Sequence, residues 1–328
     1  MIESPLAVLV VLTAVAAGFL LLERVTKWRL FSFFPPLLFI YFVPMILSNA
    51  GLLVHEGPVY GWMGETMLPF LLVIVLLQVD VVSAVRVMGR GVLVMLCGTA
   101  GVILGAPIAY SRVKSRMEPT AWRAFGSLAG SWIGGTAHMA AVSQGIGASG
   151  AELGLAILGD NLVYIVWLPL LLASRALAPW FNRFARVDPK RIAMLEQAGA
   201  AAQGGREPMA VRHFLYLLFL GLAATWVAGL IAHKLPERPP VLSTDTWQIL
   251  LVTTFGLLLS ATPARRIPGS HELAMALIYL FVASMGARAN LSELGGQAVW
   301  FVAAAYLWII LHGTACVLGA RLLHVDIH

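Results

Sequence analysis

Nine runs of mostly apolar residues fill most of this chain, at 5–22, 31–49, 66–85, 91–110, 152–178, 212–233, 246–263, 271–287 and 297–320. A helix needs about 17–25 such residues to cross the hydrocarbon core of a bilayer. In lipid each backbone N–H and C=O must be satisfied internally, so runs of this length fit helices and little else. Composition agrees: 59% of the residues are apolar, 12% are charged and mean hydropathy is +0.85. Soluble domains carry about 25% charged residues, roughly twice that share. The first run has no basic residues ahead of it, which argues for a spanning helix rather than a cleaved signal. The expected fold class is an all-α polytopic membrane protein surrounded by lipid bilayer, and the expected location is a bacterial cytoplasmic (inner) membrane. The net charge of +6 does not point to nucleic acid, because Lys and Arg sit in short runs between apolar segments, as in cytoplasmic loops. Cys97 and Cys316 both fall inside apolar segments and read as free thiols.

One stretch breaks the pattern. GSLAGSWIGGTAHMAAVSQGIGASGAELGLAILGDN, residues 126–161, holds nine glycines between 126 and 159 together with Ser, Thr, His, Gln, Asp and Asn. Broken backbone is tolerated at membrane depth only inside protein or beside water, so a Gly-broken segment at 121–147 marks a candidate substrate or ion pathway. Tight helix packing is the plainer reading, since Gly126, Gly130 and Gly134 recur every four residues. Both readings can hold together.

A shift of 210 residues lays 5–22 on 215–232, 31–49 on 241–259 and 91–110 on 301–320. Such hydropathy repeats are the common construction of secondary transporters. The expected organisation is a first transmembrane repeat at 1–178, a linker at 179–211 and a second repeat at 212–328 that stops before its own broken segment. By this arithmetic the protein is expected to continue past His328 for about 60 residues carrying a second Gly-Gly element. Loop 24–29 carries Arg24, Lys27 and Arg29, and the stretch from Arg175 to Arg212 has seven basic residues against three acidic. If both are cytoplasmic, an even number of spans separates them. The broken segment 121–147 is then a re-entrant hairpin, the N-terminus lies outside and the halves are inverted. Loop 111–123, with Arg112, Lys114, Arg116 and Arg123, falls on the outer side against the charge rule. A short surface helix is expected at 189–202.

Asp160 and Asn161 stand within an apolar run, where an ionisable residue is a functional candidate by default. Asp160 suits either a hard oxygen ligand for Na⁺ or a carboxyl that binds and releases a proton; a carboxylate that caps a broken helix is the structural alternative. Gly134, Gly135 and Thr136 are placed to offer backbone N–H groups to an anionic group, and Ser131 adds a hydroxyl nearby. His138 reads as a proton relay, a donor to substrate or a packing histidine, and Ser143 and Gln144 are weaker candidates. His312 reads as a cap on a polar contact. Asp80 and Asn290 lie at matching repeat positions, where helix-end solvation accounts for them. The histidines lack zinc-ligand spacing, and no GxxxxGK[ST] phosphate loop is present, so no cofactor is expected beyond Na⁺ or H⁺ as coupling ion.

GSWIGGTAHMAAV, followed by LGDNLVYIVWLPLLL, resembles the YjcL-like membrane proteins, the family known as domain of unknown function 819. The resemblance extends from the first helix through the HGT at 312–314. It implies a fold shared with glutamate–sodium and citrate–sodium symporters, bile-acid-type symporters and cation/proton antiporters. GGTAH is similar in character to the Gly-Gly re-entrant tips of the glutamate symporters. Relatives tend to carry an amide near position 138 and a second Gly-Gly element near the C-terminus; this sequence has His138 and lacks the second element. The expected function is an ion-coupled secondary transporter of a small organic anion, with a scaffold that forms a homodimer. The alternatives are a monovalent cation/proton antiporter and a non-transporting receptor or assembly protein. An enzyme is not expected, because Ser131 and His138 have no second acid–base partner at a convincing spacing.

Overall fold

A computed structural model describes residues 2–28, 30–80, 85–86, 88–174, 178–185, 209–238, 242–289 and 296–325. The helix expected at 189–202 and Asn290 lie outside the described residues. Twelve main helices are described: α1 Pro5–Thr26, α2 Pro36–Asn49, α3 Pro58–Leu77, α4 Gly91–Val113, α5 Trp122–Gly134, α6 Thr136–Gly145, α7 Gly150–Ser174, α8 Ala178–Ala185, α9 Val211–Ala232, α10 Thr244–Ser260, α11 Ser270–Arg288 and α12 Gln297–Leu323. Seven of them (α1, α3, α4, α7, α9, α11 and α12) are long and apolar enough to cross a bilayer. The apolar α2 has 14 residues and α10 has 17. Among the described residues the only β pairing is two isolated bridges, so the chain is an all-helical membrane protein.

Prolines set several helix starts. Pro5, Pro36 and Pro58 each occupy the first turn, where the missing N–H has no intrahelical partner to lose. Two expected spans change for this reason. The run 31–49 splits into a single turn at Leu30–Phe33 and α2, because Pro35-Pro36 interrupts it. The run 66–85 instead begins at Pro58 and ends at Leu77, with a π turn at Met63–Met67. α7 begins in a capping box: the Ser149 N–H donates to Glu152 Oε2 at 2.7 Å, and the Glu152 N–H donates to Ser149 Oγ at 3.2 Å.

Small residues let the helices meet closely. α4 and α12 run antiparallel, with Gly98 facing Cys316, Gly101 facing Ala315 and Gly105 facing Trp308. The Trp308 indole N–H donates to the Val102 carbonyl at 2.9 Å, and His312 Nδ1 lies 2.9 Å from the Gly98 carbonyl. His312 therefore caps a backbone group, as expected. Elsewhere α2 packs on α11, α3 on α10, α1 on α2, and α9 on both α3 and α10. The described contacts form one large group (α1, α2, α3, α9, α10, α11) beside a second (α4, α12, α7), with α5 and α6 between them. Both cysteines are free and half-buried.

Candidate functional site

The Gly-broken stretch folds as a helical hairpin. α5 ends at Gly134, Gly135 takes φ 84° and ψ −174°, and α6 starts at Thr136. That positive φ is open to glycine and strained for residues with a Cβ, so the sharp turn needs Gly135. The arms run back along each other: a Cβ on Gly130 would lie 2.8 Å from the His138 carbonyl oxygen, and one on Gly126 would lie 2.8 Å from the Ile146 side chain. The four-residue glycine repeat is thus the packing seam of the hairpin. α5 rests on α4 and α7, and α6 rests on α3, α10 and α11. At the base of α6 the Thr246 hydroxyl donates to the Gly145 carbonyl at 2.9 Å, and Gln144 lies against Gly64 in the π turn.

Asp160 meets the hairpin near its tip. It lies ten residues into α7, about 15 Å along the helix and well inside the apolar span Gly150–Trp167. Its Oδ2 accepts a hydrogen bond from the Ser131 hydroxyl at 3.0 Å, and its Oδ1 accepts one from the Trp132 indole N–H at 2.9 Å. Each carboxylate oxygen keeps a further lone pair for an ion or solute. Asn161 is buried and spends its amide N–H on the Ile157 carbonyl at 2.8 Å, which leaves its side-chain oxygen as an acceptor.

These groups border a cavity of about 490 Å³. Gly134, Thr136, Ala137, Asp160 and Asn161 line its polar end, and Phe31, Val75, Tyr164, Met275, Ile278 and Tyr279 line its walls. The first amides of a helix have no intrahelical acceptor, so the start of α6 offers N–H groups and a positive dipole end to the cavity. The first described bonds inside α6 come from the His138 and Met139 amides, both to the Gly135 carbonyl at 3.0 Å. Among the described residues no Lys, Arg or His lines the cavity; Asp160 is its one acidic or basic side chain.

Of the residues singled out from the sequence, Ser131, Gly134, Gly135, Thr136, Asp160 and Asn161 come together at this tip. His138 sits beside it but turns back on the hairpin: its Nδ1 lies 2.7 Å from the Gly134 carbonyl, and it does not line the cavity. Ser143 is buried with its hydroxyl unpartnered, away from the cavity. Asp80 pairs with Arg265 at a helix end, as expected of a solvated position. Trp132, Tyr164 and Tyr279 were missed. Tyr164 follows Asp160 by one helical turn, a spacing that marks a shared face; Trp132 reads as an ordinary apolar residue until its indole N–H is seen on the carboxylate.

Comparison with known proteins gives a family and no function. The family model described as "Protein of unknown function (DUF819)" matches residues 9–328. The "Uncharacterized membrane protein YjcL" of Bacillus subtilis (strain 168) is 24% identical over 256 residues, covering 75% of this chain and 64% of that protein. The chain thus spans less than two thirds of the length of the curated relative it matches. No solved structure matches. With the family model covering nearly the whole sequence, the chain belongs to the DUF819 family of membrane proteins.

Proposed function

We propose that this protein is a secondary transporter that couples Na⁺ or H⁺ to a small organic anion, with the hairpin-tip cavity as its transport site. The observation that carries this reading is a carboxylate inside an apolar helix long enough to span a bilayer, hydrogen-bonded to the tip of a broken-helix hairpin and bordering a cavity of transportable-solute size. A carboxylate in lipid is disfavoured by about 2.5–3.5 kcal/mol on insertion scales, and such residues in membranes mark ion and proton pathways. The start of α6 supplies amides for an anionic group, and Asp160 with the Asn161 oxygen supplies acceptors for the coupling ion.

The repeat reading is part of the same proposal. Under the 210-residue shift α2 corresponds to α10, α3 to α11 and α4 to α12. The pairing of α2 with α11 is then the counterpart of α10 with α3, and α4 and α12 pair with each other. Their antiparallel contact supports inverted halves. In this reading α1–α3 and α9–α11 form a fixed, dimerising scaffold, and α4, α7 and α12 with the hairpin form the moving core. A second reading, a monovalent cation/proton antiporter, is favoured by one observation: among the described residues Asp160 is the one acidic or basic side chain lining the cavity.

Reconstitution into liposomes separates the two. Cation/proton antiport moves protons when a Na⁺ gradient alone is imposed, whereas ion-coupled solute transport waits for solute. In either case Asp160→Asn keeps the fold and abolishes ion-coupled flux, since an amide hydrogen-bonds but does not titrate. Unchanged ion dependence in that variant overturns the assignment.

A further inference from the structure

The charge balance of the cavity constrains its solute further. Resting on the reading of this cavity as the transport site, we infer that its solute carries a protonated amino group as well as an anionic group, on a compact apolar body. Asp160 brings a negative charge, and no described cationic side chain lines the space to offset it. The nearest histidine, His138, is engaged with the Gly134 carbonyl and does not line the cavity. While no coupling ion occupies Asp160, a solute with only a carboxylate meets like charge at short range in a low-dielectric setting, with helix amides as its sole compensation.

Two further features of the cavity favour positive charge beside Asp160. Asn161 offers its oxygen because its N–H₂ is held by the Ile157 carbonyl. Tyr164, Tyr279 and Phe31 place aromatic rings in the same wall, and ring faces attract ammonium groups. The amides at the start of α6 border the same cavity and complement a carboxylate. Leu37, Val75, Met275 and Ile278 leave the remaining wall aliphatic. An amino-carboxylate with a branched aliphatic body satisfies all three surfaces at once. Its ammonium group then competes with Na⁺ or H⁺ for Asp160, so the coupling ion and the solute occupy the carboxylate in turn and the coupling is exchange of solute for cation rather than symport.

Three matched compounds test this: leucine, 4-methylpentanoate, which lacks the amino group, and 3-methylbutylamine, which lacks the carboxylate. Binding to the purified protein is measured by calorimetry at low salt. Leucine is expected to bind at least about tenfold more tightly than either analogue, in line with the strength of hydrogen bonds to charged groups. Asp160→Asn is expected to remove the preference for leucine over 4-methylpentanoate, with the melting temperature as the control for folding. Added Na⁺ or protons should weaken leucine binding in the wild type and leave the Asn variant unaffected. The inference is overturned if 4-methylpentanoate matches leucine, if Asp160→Asn leaves their ratio unchanged, or if none of the three binds at millimolar concentration. The transport reading fails separately: Asp160-dependent leucine binding without gradient-driven uptake in liposomes defeats transport and leaves the charge assignment intact.

Discussion

Gly130→Ala should loosen the hairpin, and the expected size follows from two opposing effects. In a helix interior Gly→Ala stabilises by about 1 kcal/mol, because the unfolded chain has less freedom to lose. At Gly130 the new methyl would sit 2.8 Å from the His138 carbonyl oxygen and 3.1 Å from its carbon. Those are backbone atoms of the opposite arm, which cannot swing aside as a side-chain end would. Overpacking of this kind costs about 1–3 kcal/mol. Gly18 in α1 supplies the control, because a Cβ there meets nothing within 4 Å. Gly130→Ala should therefore lie about 1–3 kcal/mol below Gly18→Ala in stability. At about 2 °C per kcal/mol for a larger chain, the gap is roughly 2–6 °C in melting temperature. Thermal unfolding in detergent, followed by intrinsic fluorescence, reads it directly. If Gly130→Ala melts with or above Gly18→Ala, the arms do not pack as described and the glycine seam is not what closes the hairpin.

Trp132→Phe keeps most of the ring but removes one of the two donors on Asp160; with that donor gone, a cation should bind the carboxylate about tenfold more tightly. An unchanged or weaker cation affinity would contradict the role given to the indole. Outside the spans, the Thr244 hydroxyl and backbone N–H hold the Glu237 carboxyl below the usual carboxylate range. Because its folded value lies below the unfolded one, this stabilisation is present above the unfolded value and is lost as pH falls through the folded one. Thr244→Val should move the Glu237 titration, followed by carboxyl NMR, upward toward the ordinary range; a titration that stays put would remove the Thr244 hydroxyl as the main cause. For topology, single cysteines at Thr26 and Gln203 in a variant lacking Cys97 and Cys316 should both be shielded from an impermeant thiol reagent in whole cells. Labelling of one without the other would break the even-span arrangement.

Much of the fold is legible in the sequence because apolar run length is a local property. Each of the nine runs contains a described helix, and the one run with two adjacent prolines, Pro35 and Pro36, is the one that splits. The hairpin was readable for a similar reason: Gly134-Gly135 needs no long-range information to mark a break. The pairing of Ser131 with Asp160 joins two candidates 29 positions apart in the chain. What escaped reading depends on distant packing. Phe31 and Tyr279 become walls of the cavity only once α11 and the Leu30–Phe33 turn close over the tip, and nothing local distinguishes them from lipid-facing aromatics. Trp132 was hidden because its apolar body fits a core: its ring packs on Trp308 with centroids 4.6 Å apart while its N–H reaches Asp160. His138 carried a chemical suggestion that geometry redirects, since its nearest acceptor is the Gly134 carbonyl one turn before it.

Cation occupancy of Asp160 in the absence of any organic solute tests the central claim most directly. Purified protein is titrated with radioactive sodium at fixed pH, and in parallel the protonated-carboxyl band is followed by infrared spectroscopy as pH is varied without sodium. The wild type should bind one sodium ion per chain saturably or show a titrating carboxyl band, and Asp160→Asn should lose whichever signal is present while keeping its melting temperature. If the Asn variant retains the signal that the wild type shows, the ion site lies elsewhere and the hairpin-tip cavity is not where coupling occurs.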